Sequence, residues 1–276
     1  MEFFTIMHKS MLRNFIPFSI AVVLSFFCGC VTNPVTGRQE LMLLPVQQDI
    51  EIGQRYAPEV EKQMGGTIVN QSLQDYVDRV GQKIARISHN RDFDYHFTAL
   101  NDKSVNALAL PGGYVFVTKG MLEQLTTEAQ LASVLAHEVV HIVARDTSNM
   151  ISNQIGIDIL LSVAASQKTP RGLLTAADLT RQILSLQYSR GDERIADLAG
   201  LNYMVLAGYD PQGMVETLQV LQRQNDLAPI EFLSTHPSPE NRVEYIKEKI
   251  QTRYYGIEGL KSGQQDYNAG VLQHLR

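Results

Sequence analysis

Through most of this chain apolar residues recur every three to four positions, and they alternate with polar ones over only one stretch. That pattern predicts a mainly helical body with a small sheet set into it. Helical periodicity begins near Val46 and runs to Met64, then resumes from about Leu73 to Ile87 after Gly65-Gly66. Residues 93–100 alternate and are rich in aromatics, which predicts a strand. Two further short strands are expected at 105–110 and 114–118, with Pro111-Gly112-Gly113 between them. From Lys119 onward helices are expected near 119–125, 127–145, 147–165, 171–187, 190–207, 211–226 and 238–251. The stretch from Tyr254 carries Gly and Gln and is expected to pack loosely. The fold class is therefore α+β, predominantly helical, with one domain over 46–251, a tail over 252–276 and a small antiparallel sheet.

One predicted helix stands apart. Thr127-Glu128-Ala129-Gln130 has the form of a capping box that would start it. Leu131, Val134, Leu135, Ala136, Val139, Val140, Ile142 and Val143 then make it apolar on most of its circumference, so it is expected to be buried. Inside it lies His137-Glu138-Val139-Val140-His141. Positions i and i+4 sit one above the other on a helix, so both imidazoles can face one ion with Glu138 beside them. Buried imidazoles and a buried carboxylate need a partner, and a metal satisfies all three. The arrangement suits a zinc hydrolase: two nitrogen ligands, and a carboxylate to take a proton from water.

Composition narrows the rest of the site. The 276 residues are 44% hydrophobic and carry a net charge of −5, which gives no electrostatic case for nucleic acid. The only cysteines are Cys28 and Cys30, both in the N-terminal leader, so any zinc in the globular part is held by His and carboxylate. Two histidines leave a catalytic zinc one protein ligand short. His89 and His96 read as ordinary structural or surface residues, while His8 and His274 fall in the leader and the tail. Glu193 and Asp197 are better placed: at i, i+4 they share a helix face, a like-charge pair that a cation or an imidazole N–H would offset. Ala196, Ala199 and Gly200 leave that helix free to approach a neighbour closely.

The leader is the second strong signal. Lys9 and Arg13 precede an apolar run, 15–27, that is short for a membrane span. It ends in Phe27-Cys28-Gly29-Cys30, which resembles a bacterial lipoprotein signal, with Phe27 departing from the usual Leu. Residues 1–29 are then a cleaved signal peptide, whose true start is Met1 or Met11. Cys30 is the lipidated residue that anchors the chain to a membrane, and residues 30–45 are an extended tether. Val31 after the cysteine fits outer-membrane sorting, facing the periplasm. An ordinary secretory signal or an uncleaved anchor are the alternatives.

Taken together, His137-Glu138-Val139-Val140-His141, Glu193-Arg194-Ile195-Ala196-Asp197 and Ser234-Thr235-His236-Pro237 resemble the M48 family of zinc metalloproteases, and the leader resembles its lipid-anchored bacterial members. The resemblance covers roughly residues 30–250 and implies a zincin-like fold with the sheet beside the H-E-x-x-H helix. It also implies one Zn2+ per chain held by His137, His141 and Glu193, with Glu138 as general base. Asp197 would then accept a ring N–H from a zinc-bound histidine, and His236 would either stabilise the oxyanion or cap the metal at rest. The segment 107–117 resembles the family's strand beside the active site, whose edge could pair with an extended substrate. The expected activity is endopeptidase action on polypeptides, chiefly misfolded or unassembled envelope proteins. The alternative is an envelope chaperone or assembly factor whose protease site is secondary or self-inhibited.

Overall fold

The computed structural model describes residues 30–153 except Asp92, and 180–275 except Gln182. The leader 1–29 and most of the helices expected at 147–165 and 171–187 therefore lie outside the described residues. Among the described residues no helix is long and apolar enough to cross a membrane.

Two helices precede the sheet: α1 (Val46–Gln63) and α2 (Gln71–Ala85), the second capped by Asn70, whose side chain accepts from the Leu73 N–H. The sheet has three strands, β3 (His96–Leu100), β4 (Ala107–Leu110) and β5 (Tyr114–Thr118), in the order β3-β5-β4. β4 and β5 form the expected antiparallel hairpin, whereas β3 joins the far side of β5 in parallel. The hairpin's own turn brings β4 back along one edge of β5, and β3 takes the other edge of β5. The outer edge of β4 has no strand partner among the described residues.

After the short α3 (Lys119–Gln124) comes α4 (Glu128–Ala144), which carries both histidines of the motif. Its capping box is formed as the sequence predicts, between Thr127 and Gln130, and every one of its residues is buried. α5 (Arg190–Leu206) opens with a second capping box, Ser189 with Asp192, and packs along α4. Contact is close because Gly200 has no side chain: a Cβ there would come within 3.2 Å of the His137 backbone nitrogen. α6 (Gln212–Leu227) covers another face of α4, and α2 and β4 complete its surroundings. α7 (Glu231–Thr235), which was not expected, and α8 (Arg242–Lys249), which starts later than the helix expected at 238–251, follow. Pro237 and Pro239 account for the difference, since proline supplies no N–H and disfavours helix just before it.

Two expectations fail, at residues 30–45 and in the tail. Residues 30–45 are not an extended tether. β1 (Cys30–Thr32) and β2 (Gln39–Leu41) pair as a hairpin, closed by Asn33 Oδ1 accepting from Val35 N (2.9 Å) and Thr36 N (3.2 Å). Met42 and Leu44 beyond it are buried. The tail is not loose either. Tyr267, Val271 and Leu275 recur at i, i+4, i+8 and are buried, and Tyr267 OH donates to the Leu122 carbonyl. The apolar spacing that drives this packing was present between the polar residues of the tail.

Candidate metal centre

α4 presents His137 and His141 one turn apart, and α5 brings Glu193 and Asp197 to the same place, also one turn apart. His137 Nε2 and His141 Nε2 lie 3.1 Å from each other. Each lies 3.4 Å from an oxygen of Glu193. His236, at the end of α7, points its Nε2 at Glu138 Oε1, 3.5 Å away. One ligand atom from each of His137, His141, Glu193 and His236 falls within 4.8 Å of all the others, and all four residues are buried. The structure thus gathers residues separated by up to a hundred positions in the sequence.

The donor set fits a metal. Both oxygens of Glu138, both of Glu193 and His236 Nε2 are buried without hydrogen-bond partners. Arg242 Nη2 approaches Glu193 Oε2 at 3.2 Å, but one guanidinium cannot satisfy this many acceptors. Buried charge left in this state is costly, and a cation between the two imidazoles and Glu193 removes the cost.

The imidazole orientations are fixed from behind. Asp197 Oδ1 sits 3.1 Å from His137 Nδ1, and Asp146 Oδ2 sits 2.7 Å from His141 Nδ1. Tyr188 stacks flat on the His141 ring, with centroids 3.8 Å apart. His236 stacks on Phe232 and directs Nδ1 at the Phe232 carbonyl, 3.2 Å away, which leaves Nε2 for the site. Asp197 is itself gripped: Arg242 Nε and Nη2 donate to its two oxygens, both at 2.7 Å, and Tyr245 OH donates to Oδ2.

These contacts separate the acids from the bases. Burial alone would raise the Asp197 pKa, but the Arg242 charge and the His137 hydrogen bond hold it at about 2. Burial likewise opposes protonation of His141, yet its hydrogen bond to Asp146 and the nearby Glu193 carboxylate push it up to about 10. Glu193 is held well below the ordinary carboxylate range, since the neighbouring His137 outweighs its burial. Glu138 moves the other way, because burial dominates and raises it. Burial also holds His236 well below its ordinary value. Such a centre can bind a cation, keep one carboxylate as a ligand and leave another as a base.

Other candidates fall away from this centre. His89 Nδ1 meets Tyr203 OH at 2.5 Å, His96 stacks on Tyr114, and His274 reaches Asn70. His8 lies outside the described residues, and of Cys30 only the backbone is described, opening β1. Asp146, Tyr188, Arg242 and Tyr245 are the residues that the sequence did not single out. Asp146 follows the helix end by two residues and is reached through a left-handed turn at Arg145 (φ 61°), so helical spacing could not indicate it. Arg242 and Tyr245 come to the site only through the packing of α8 against α5.

A model of peptidase family M48 matches residues 71–250. The beta-barrel assembly-enhancing protease of Escherichia coli (strain K12) is 29% identical over 227 residues, 77% of this chain and 46% of that protein. Its namesake in Yersinia pestis is 29% identical over 223 residues, 76% of this chain and 45% of that protein. The mitochondrial metalloendopeptidase OMA1 of Schizosaccharomyces pombe is 35% identical over 176 residues, 63% of this chain and 52% of that protein. The chain spans about half the length of these relatives.

Proposed function

The chain belongs to peptidase family M48, and on that premise we propose that it is a zinc-dependent endopeptidase of the bacterial cell envelope. The buried cluster of His137, His141, Glu193 and His236 carries this reading. His137 and His141 would each give Nε2, and Glu193 a carboxylate oxygen, to one zinc ion per chain. Bound there, zinc supplies Lewis acidity, lowering the pKa of water toward neutrality and polarising the scissile carbonyl. Glu138 takes the proton of the attacking water and returns it to the leaving amine. Its raised pKa brings it nearer the working range of a general base. Asp197 and Asp146 hold the two imidazoles in the tautomer that leaves Nε2 free. Dialysis against a chelator should abolish cleavage of β-casein, and zinc at one equivalent per chain should restore it. Cleavage that survives complete metal removal would reject the reading.

The outer edge of β4 offers a place for the substrate backbone. Thr118 N donates to Asn106 O, so in an antiparallel register residues 106, 108 and 110 face β5, and Ala107 and Ala109 turn their N–H and C=O outward. The Val105 carbonyl on the same edge accepts from Phe232 N at 3.1 Å, beside His236. Asn106, Ala109, Tyr188 and His236 line a small cavity there, and Asn106 Oδ1 has no partner. An extended chain added to this edge would be read by its backbone more than by its sequence. That suits misfolded or unassembled envelope proteins, a substrate class also supported by the relatives' name, beta-barrel assembly-enhancing protease. The lipoprotein-like leader supports a periplasmic place, with lipid on Cys30 anchoring the chain to the outer membrane. Fatty-acid labelling that marks the natural chain and spares Cys30→Ser is the expected result.

His236 favours a second, resting arrangement. Its Nε2 completes the four-residue cluster, so it can cap the metal until substrate displaces it, and a capped site could serve assembly rather than cleavage. His236→Ala should weaken zinc binding or change the cleavage rate. An unaltered variant on both counts contradicts any role at the site. Envelope function retained by Glu138→Gln would favour the chaperone reading.

A further inference from the structure

The helix that carries both histidines ends in an unusual way. Its last cap is Arg145, a long side chain in the left-handed region that glycine normally fills. This turn reverses the chain so that Asp146 folds back and reaches His141 Nδ1 at 2.7 Å. Glycine would adopt the turn more readily but would bring no guanidinium. Here the guanidinium is buried and held through Nε and Nη2. Arg145 Nε donates to Asp49 Oδ2 (2.6 Å), and Nη2 donates to Asp49 Oδ1 (3.0 Å) and to the Leu44 carbonyl (2.6 Å). Ser148 Oγ donates to Asp49 Oδ1 at 2.8 Å, so one carboxylate of α1 ties the residues on both sides of Asp146. Asp49 is 1% exposed and lies before the region matched by the family model, which begins at residue 71.

We propose that Asp49 is a positioning residue for the metal centre. It locks Arg145 in the left-handed turn, the turn aims Asp146 at His141 Nδ1, and Asp146 sets the direction of His141 Nε2. The N-terminal helix is thereby part of the metal site without touching the metal. The inference rests on the zinc reading of His137, His141 and Glu193.

The test measures zinc affinity of the full chain by competition with a chromophoric chelator, and the visible spectrum of the cobalt-substituted protein. Asp49→Asn nearly preserves shape while weakening the side-on pair. It should lower zinc affinity about 10- to 100-fold, as loss of an outer partner of a ligand does. The cobalt bands should shift. Asp146→Asn should do the same, and the double variant should bind zinc no more weakly than Asp146→Asn alone, because both act along one route. Unchanged affinity in Asp49→Asn, or losses that multiply in the double variant, overturns the proposal. Arg145→Lys, which keeps the charge and loses the fork, gives an intermediate loss if the proposal holds and no loss if it does not. His137→Ala separates the two layers. If it binds zinc like the natural chain, the zinc reading itself fails. If it does not, an unaffected Asp49→Asn strikes this inference alone.

Discussion

His137 and His141 can serve one ion only if both rings are held by something other than the ion, and each has its own carboxylate for this. Asp197 takes the His137 side and in turn depends on Arg242, which lies 45 positions away and bridges it to Glu193. Replacing Arg242 with Leu removes the one full counter-charge to a buried aspartate. The loss should reach about 3–5 kcal/mol in a urea titration, the range for breaking a buried pair. A change under 1 kcal/mol would mean that Tyr245 and His137 suffice. Within each pair, His137 with His141 and Glu193 with Asp197, proximity was legible from the i, i+4 spacing, whereas the meeting of the two pairs was expected from the family resemblance. Asp146 and Arg242 were not legible, since one depends on a left-handed turn and the other on how two helices pack.

At the scale of elements, α4 is fixed at both ends. Its C-terminal end is tied to α1 through Arg145, and its N-terminal end through Glu128. Glu128 is buried and receives Tyr76 OH (2.6 Å), Tyr209 OH (2.9 Å) and Lys261 Nζ (2.9 Å), which come from α2, the loop after α5 and the C-terminal segment. Burial would raise its pKa, but the hydrogen bonds from Tyr76, Lys261 and Tyr209 prevail and hold it below its ordinary value of 4.5. A carboxylate lowered in the folded state adds stability that is present above that value and lost as pH falls through the folded one. Melting temperature should therefore drop on acidification below about pH 4.5, and Glu128→Gln should flatten that limb. An identical acid limb in the variant would remove Glu128 from the account. The capping box marked where this helix starts, but nothing in the sequence paired Glu128 with a lysine 133 positions away.

For the molecule as far as it is described, residues 30–45 and 252–275 are structural. The expectation of a loose tail gave weight to Gly and Gln and too little to three apolar residues at helical spacing, and the tether was misread because a hairpin closed by one asparagine leaves a faint pattern. Tyr267 is fully buried against Tyr76 and α3, so Tyr267→Ala should cost about 3–5 kcal/mol by urea unfolding, as large aromatic truncations do. A cost below about 1 kcal/mol would return the tail to the status of an appendage. With both of these segments packed, the described residues form one body around α4, and the central claim concerns a single carboxylate. Glu138 is buried beside the cluster with neither oxygen bonded, so Glu138→Gln keeps the shape and removes only the base. The decisive measurement is β-casein cleavage by zinc-loaded Glu138→Gln beside the natural chain, with metal content determined for both. The account predicts one zinc per chain in each and a cleavage rate at least 100-fold lower in the variant. A fully loaded variant that cleaves as fast as the natural chain would contradict it.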